Sequence, residues 1–197
     1  MDQVEEIYAL GRKLAEVGSY EEAVPFLKEA ADQGHGKAQY NLAVFYHSSM
    51  GVEKSYKTAY YYFQLAALQG HMRAHYMLGC YLAFGLLGYT SEEEAVDYFR
   101  TASNGGVADA QYDLGVMLLA GKGVEKSEEE AVHYFKLAAE QGLADAQYNL
   151  GLCYRYGFGV VPSDQTALYY LELAAMQNHA KAVEAASSIT GQSAALR

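Results

Sequence analysis

Residues 108–112 read ADAQY, and the same five residues recur at 144–148, a spacing of 36. The register extends along the chain in both directions from this pair. Alanine holds the equivalent place in five units, at Ala38, Ala74, Ala110, Ala146 and Ala182. Self-similarity at a fixed period of roughly 20–50 residues is the signature of a repeat protein. The sequence therefore predicts a repeat array.

The second half of each unit has the pattern of an amphipathic helix. In the fourth unit the apolar residues recur at i, i+3, i+4, i+7 and i+8, as Ala131, Tyr134, Phe135, Ala138 and Ala139. This spacing lines one face of a helix. A serine precedes the run in four units, at Ser55, Ser91, Ser127 and Ser163. Serine hydroxyls cap the free amides of a first helical turn, so we expect these residues to begin the helices.

The first half of each unit predicts another helix. Residues 145–157, DAQYNLGLCYRYG, place Ala146, Leu150 and Cys153 on one apolar stripe. Glycine-rich connectors such as AGKGV at 120–124 break the chain between the two halves. Glycines also recur within the first helices, where they would let two helices approach closely, at Gly79, Gly115 and Gly151. Each unit is therefore predicted to be a helical hairpin.

The combined pattern of A-x-x-L-G, a G-x-G-V loop and A-x-x-Y-F-x-x-A-A-x-x-G resembles the Sel-one-like repeats, which are relatives of the tetratricopeptide repeats. The resemblance covers units at about 37–71, 73–107, 109–143 and 145–179. Residues 4–35 look like a plain tetratricopeptide repeat, and the third unit reads FGLLGYT where the G-x-G-V loop is expected.

The resemblance implies an all-α fold that occupies residues 1–197 as a single repeat domain. It would be a right-handed α/α solenoid of about five helical hairpins, with the first helix of each pair on the concave side. Residues 180–190 would form a C-terminal capping helix, followed by a tail at 191–197. Each hairpin of a solenoid buries its apolar face only against its neighbours, so ADAQY would recur because the interface between repeats recurs.

Composition and charge disfavour several classes of protein. The formal net charge is −10 and the estimated pI is about 5.0, whereas nucleic-acid binding draws its affinity from positive charge. Two cysteines give no disulfide framework, and no run approaches the ~18 apolar residues of a membrane span. The start, MDQVEEIYAL, lacks a signal-peptide pattern. We expect a cytoplasmic protein, or a secreted or periplasmic one if a leader was trimmed.

No pattern indicates an active site. His71 and His75 are spaced i, i+4, but no carboxylate or thiol stands at a suitable spacing to complete a metal site. His35, His71 and His179 fall in the turn after a second helix and are interpreted as turn residues. The sequence therefore predicts no catalytic residue, no metal and no cofactor.

Tyrosines hold one place in every first helix, and two interpretations of this row stay open. It could pack against the next repeat, or it could line a concave groove for a peptide, since tyrosine is a rigid amphipathic contact. Neighbouring positions that vary between units are better candidates for specificity. The candidate partner-binding residues are Tyr8, Tyr40, Asn41, His47, Tyr76, Met77, Phe84, Tyr112, Asp113, Leu119, Tyr148, Asn149, Arg155 and Tyr156.

Lys37 and Arg73 begin adjacent first helices, and two interpretations of them are open as well. They could attract an acidic segment, or they could be ordinary solvated charges. The Lys/Arg/Asn cluster by which some tetratricopeptide relatives grip a C-terminal carboxylate is not apparent.

The sequence favours a non-enzymatic scaffold or adaptor that binds a protein or peptide segment on the concave face. The alternative is a structural protein that self-associates through an end helix such as residues 4–17, with Val4, Ile7 and Leu10. We expect a monomer or a weak homodimer. RNA binding, as in the pentatricopeptide repeats, and an unrecognised enzyme are less favoured. We expect no nucleic-acid or membrane partner.

Overall fold

A computed structural model describes the backbone of residues 3–195 and the side chains of residues 3–191. This part of the chain contains eleven helices and no strand. The helices are α1 (Gln3–Glu16), α2 (Tyr20–Asp32), α3 (Gly36–Ser48), α4 (Tyr56–Leu68), α5 (Met72–Ala83), α6 (Glu92–Asn104), α7 (Ala108–Ala120), α8 (Glu128–Glu140), α9 (Ala144–Tyr156), α10 (Asp164–Met176) and α11 (Ala180–Ala195). The predicted all-α repeat fold is confirmed.

The chain divides into two compact units, Met1–Thr101 and Ala102–Arg197. The first unit contains α1 to α5 and most of α6, and the second contains the end of α6 and α7 to α11. Consecutive helices pack as the predicted hairpins. The last helix continues to Ala195, beyond the predicted end at residue 190, and residues 196–197 of the predicted tail lie outside the described residues.

Three of the four predicted serine caps are present as hydrogen bonds. The hydroxyls of Ser55, Ser127 and Ser163 each accept the amide N–H three residues ahead, at 3.2 Å. Ser91 differs, because its hydroxyl donates to the Glu94 carboxylate at 3.0 Å. Capping hydroxyls satisfy amides that have no helical partner, so these bonds fix where the second helices begin.

The core repeats with the sequence. Four of the five first helices, α3, α5, α7 and α9, contribute a buried leucine at one register position, as Leu42, Leu78, Leu114 and Leu150. Each second helix contributes a large buried side chain at another, as Leu27, Phe63, Phe99, Phe135 and Leu171. The predicted close approach of helices is confirmed at Gly115, where an added Cβ would lie 2.7 Å from Phe135 Cε1. Gly79 and Gly151 are equally crowded, by Phe99 and Leu171.

We expect Gly115→Ala to lower the free energy of unfolding by about 1–3 kcal/mol, because overpacking displaces Phe135. Urea denaturation of the second unit measures this change. The reciprocal variant Ala43→Gly, at the same register position in α3, is the control. If only helix propensity mattered, Gly115→Ala would instead stabilise the protein by up to about 1 kcal/mol, and that outcome would contradict the packing seen here.

Candidate functional site

The tyrosine row takes part in packing between repeats. In the first unit, Tyr8 stacks on His35 with ring centroids 4.4 Å apart, and Tyr40 stacks on His71 at 4.2 Å. Tyr8 is only 8% exposed. In the second unit, Tyr148 stacks on His179 at 4.6 Å. In each pair the histidine belongs to the junction with the following helix, so these three tyrosines hold neighbouring hairpins together.

The histidines are more than the turn residues they were predicted to be. His35 and His71 are the N-cap residues of α3 and α5. The Nδ1 atom of His35 accepts the Ala38 N–H at 3.1 Å, while its Nε2 atom lies 3.0 Å from the Glu5 carboxylate. His179 makes the same two contacts in the second unit, with Ala182 and Asp145, both at 3.1 Å.

The other two tyrosines of the row pack within their own hairpins. Tyr76 lies against Phe99 at 5.8 Å, and Tyr112 lies against Phe135 at 6.0 Å. Burial raises the pKa of Tyr112, and a hydrogen bond with the side chain of Asn149 opposes this shift. Each of these five tyrosines therefore has a packing partner.

Most of the variable candidates are engaged by, or half-buried in, the protein itself. Asn41 donates to the Tyr8 hydroxyl of the preceding repeat at 3.3 Å. Asn149 is hydrogen-bonded in the same way to Tyr112 of the repeat before it. Arg155 forms an ion pair with Asp164 at 2.9 Å, at the start of α10. Met77 is half-buried against the core of the first unit. Asp113 and Leu119 are likewise half-buried.

His47 lies in an aromatic cluster of the first unit. Its Nδ1 atom is 2.8 Å from the Tyr81 hydroxyl, and its ring packs against Tyr56 and Tyr81. Burial lowers the pKa of His47, and the nearby positive charge of Lys54 lowers it further. Burial also raises the pKa of Tyr60, in the same cluster, to about 12. These contacts give His47 a structural role.

Two of the candidate residues are aromatic side chains that are largely exposed to solvent. Phe84, the C-cap residue of α5, is 69% exposed, and Tyr156, the last residue of α9, is 63% exposed. They occupy the same register position in the third and fifth repeats, where the second and fourth repeats have Ser48 and Ala120. Large exposed aromatic side chains are well suited to anchor a partner protein.

Most of the residues predicted for self-association in α1 pack against the protein's own core. Val4 and Ile7 are half-buried against the core of the first unit. Leu10 is 44% exposed, so one of the three predicted residues is free to contact a second copy.

A row of buried glutamines was not anticipated from the sequence. Gln39 donates to the Ala31 carbonyl at 3.1 Å and accepts from Gln69 at 2.7 Å. Two glutamines of the second unit make the same pair of hydrogen bonds. Gln111 donates to the Ser103 carbonyl and accepts from Gln141. Gln147 donates to the Ala139 carbonyl and accepts from Gln177. The sequence signal was present, because this glutamine is the fourth residue of both ADAQY segments and recurs as Gln39.

The third repeat replaces this glutamine with His75. The His75 ring bonds to the Ala67 backbone, while its Nδ1 atom is buried and has no hydrogen-bond partner. Burial lowers the pKa of His75. A cavity of about 350 Å³ opens beside it, lined mainly by apolar side chains of α4 and by Leu78 and Tyr98.

The described residues contain no cluster of three or more histidine, cysteine, aspartate or glutamate side chains that could hold a metal ion. Cys80 and Cys153 are buried, and they form no disulfide with each other. Burial, followed by the nearby charge of Glu128, raises the pKa of Cys153 to about 11, which disfavours the reactive thiolate. No helix within residues 3–195 is long and apolar enough to cross a membrane.

The pattern of the Sel1 repeat matches the chain five times, over residues 7–35, 36–71, 73–107, 108–143 and 144–179. No curated protein is a match by sequence.

Several solved structures share the architecture. A Sel1 repeat protein from Oxalobacter formigenes is 28% identical, with a TM-score of 0.84 over 92% of this chain and 74% of that one. A protective antigen of uropathogenic Escherichia coli strains, which displays an SLR fold, is 32% identical, with a TM-score of 0.86 over 96% of this chain. The present chain spans 42% of that antigen. A putative Sel1 repeat protein from Klebsiella pneumoniae, 23% identical with a TM-score of 0.58 over 96% of this chain and 97% of that one, shares the fold.

We expect Gln147→Leu to lower the free energy of unfolding by about 1–3 kcal/mol, because the two hydrogen bonds that the Gln147 side chain makes with the Ala139 carbonyl and with Gln177 are lost. Chemical denaturation measures the change. Gln64→Leu, at an exposed position of α4, is the matched control and should change stability by less than about 0.5 kcal/mol. Equal effects of the two variants would show that the buried bonds contribute nothing.

We expect the stability of the first unit to decrease as the pH falls below about 6.5, the ordinary pKa of histidine. The pKa of His47 is lowered in the folded protein, so the unfolded chain binds the proton more readily. The stabilisation is complete above the unfolded-state pKa and is lost as the pH falls through the folded-state pKa. His71 and His75 act in the same direction.

Urea midpoints between pH 7.5 and pH 5 test this expectation, with His47→Gln as the comparison. The variant should lose less stability on acidification than the unmodified protein. An NMR titration that gives His47 a pKa above 6.5 would contradict the burial argument.

Proposed function

Because the chain belongs to the Sel1-repeat family, whose members are in general protein-interaction scaffolds, we propose that it binds a segment of a partner protein beside the C-terminal ends of its first helices. Sel1-repeat proteins are typically non-enzymatic. The protein would act as an adaptor, with no reaction of its own.

The observation that carries this proposal is the exposure of Phe84 and Tyr156. Both residues stand at one register position of the repeat, at the end of a first helix, and both present more than half of their surface to solvent. The tyrosines of the row, in contrast, are in ring contact with their own protein. The repeated residues thus maintain the fold, and the variable aromatic residues remain available for a partner.

The neighbourhood of Tyr156 adds apolar surface. The Phe158 ring lies 5.9 Å from the Tyr156 ring and is 40% exposed. Exposed apolar groups close together mark interaction surfaces more reliably than isolated ones. A partner segment with an apolar side chain would therefore gain from contact with this end of α9.

Site-specific photo-crosslinking tests the proposal. A photoreactive phenylalanine analogue is placed at Phe84 or at Tyr156, and the protein is expressed in the cells from which it comes. We expect the same partner protein to be captured at one or both positions. The partner should then bind the purified protein, with a loss of about tenfold or more in affinity for Phe84→Ala or Tyr156→Ala, the size expected for an aromatic anchor.

Leu68 provides the matched control, because it is exposed but lies at the end of a second helix, α4. The analogue at Leu68 should not capture this partner, and Leu68→Ala should leave the affinity unchanged. Two results would count against binding at the ends of the first helices. One is capture of a partner from Leu68 alone, and the other is a partner whose affinity is unchanged by both Phe84→Ala and Tyr156→Ala.

A further inference from the structure

The junction before α5 differs from the two other junctions that contain a histidine. At His35 and at His179, the Nε2 atom contacts a carboxylate from the first turn of the preceding first helix, supplied by Glu5 and by Asp145. These two sites show which chemical group this junction accommodates. In both of them the histidine Nδ1 atom also caps the next helix.

His71 lacks this arrangement. The register of the repeat puts Lys37 at the place that Glu5 and Asp145 occupy in the other junctions. The Nδ1 atom of His71 is buried and has no hydrogen-bond partner, although Tyr40 stacks on the ring as in the other junctions. The packing of the junction is therefore conserved within the molecule, while its carboxylate is missing.

Two cations lie within electrostatic reach of the His71 ring. Burial is the largest cause of the lowered pKa of His71, and the charges of Arg73 and Lys37 lower it further, which places both cations in electrostatic reach of the imidazole. Both side chains are exposed, and neither forms an ion pair within the described part of the chain. Glu5, the acidic residue near Lys37, is engaged by His35.

The positions of these cations oppose helix stability. Lys37 is the second residue of α3 and Arg73 is the second residue of α5. The amino end of a helix carries a partial positive charge, so a cation there is unfavourable. A chain of net charge −10 thus has a positive charge at each of two helix starts where an acidic residue would be stabilising.

We infer that this junction binds an aspartate or glutamate side chain of a partner protein, with the carboxylate on the His71 ring between Lys37 and Arg73. The inference rests on the proposed function and names a chemical feature of the partner. At His35 and His179 a side-chain carboxylate of this chain contacts the Nε2 atom. The contact proposed at His71 has the same geometry, with the carboxylate supplied by the partner. Charge-assisted hydrogen bonds to guanidinium and ammonium groups are among the strong ones.

Nuclear magnetic resonance of the full chain with labelled histidines tests the inference without knowledge of the partner. The probes are three short peptides: one with two central glutamates and blocked ends, one with two glutamines and blocked ends, and one with two glutamines and a free C-terminal carboxylate. We expect the glutamate peptide to shift the His71 ring resonances to saturation, and the blocked glutamine peptide to leave them unchanged.

Three variants locate the contact. Lys37→Glu supplies the missing carboxylate from the chain itself, so it should shift the His71 ring without any peptide and weaken glutamate-peptide binding about tenfold or more. Arg73→Gln should weaken binding by a similar factor. Lys57→Glu makes the same change of charge as Lys37→Glu at an exposed position of α4, and it should leave the affinity within about twofold.

Four results would overturn the inference: no shift at His71, equal shifts with the blocked glutamine peptide, a shift only with the free C-terminus, or equal weakening by Lys57→Glu. The proposed function is tested separately, by crosslinking at Phe84 in the otherwise unmodified chain. If a partner is captured there but no glutamate peptide binds, the acidic contact fails and the scaffold role stands. If the peptide binds and no partner is captured, the acidic contact stands and the scaffold role fails.

Discussion

A buried glutamine in three of the first helices ties each of them to the end of the preceding second helix. Gln39 donates to the Ala31 carbonyl, and Gln147 donates to the Ala139 carbonyl. Because the same glutamine accepts from a second glutamine at the end of its own hairpin, it couples the ends of successive second helices. A buried amide side chain left without hydrogen-bond partners costs about 1–3 kcal/mol. Stacking hairpins at this spacing gives the glutamine its partners, and the rest of the fold is built on that spacing.

This constraint separates the residues that maintain the fold from those that can serve a partner. The tyrosines, the N-cap histidines and the glutamines are held at fixed register positions because each contacts a neighbouring helix. Positions without such a contact vary freely, and there the chain has Phe84 and Tyr156 at the surface. Lys37, at the His71 junction, is an exception among the contact residues. It stands where the His35 and His179 junctions have a carboxylate, and this difference points to a role outside the fold.

The fold could be predicted from the sequence because repetition fixes helix boundaries many times over. Ser55, Ser127 and Ser163 begin their helices as expected, and Gly115 lies where Phe135 presses on the first helix. The roles of side chains were harder to predict. Helical spacing places Tyr40 and His47 on one face, but it does not reveal that Tyr40 stacks on His71 or that His47 bonds to Tyr81. Those contacts join residues about thirty positions apart, which one helical period cannot relate.

A crystal structure of the protein with its captured partner would test most directly the claim that repeated residues pack and variable residues bind. The account predicts a partner chain in contact with Phe84 or Tyr156, with the ring stacks of Tyr8 on His35, Tyr40 on His71 and Tyr148 on His179 unbroken. A partner that inserts between these rings, or that lies only on second helices, would contradict it.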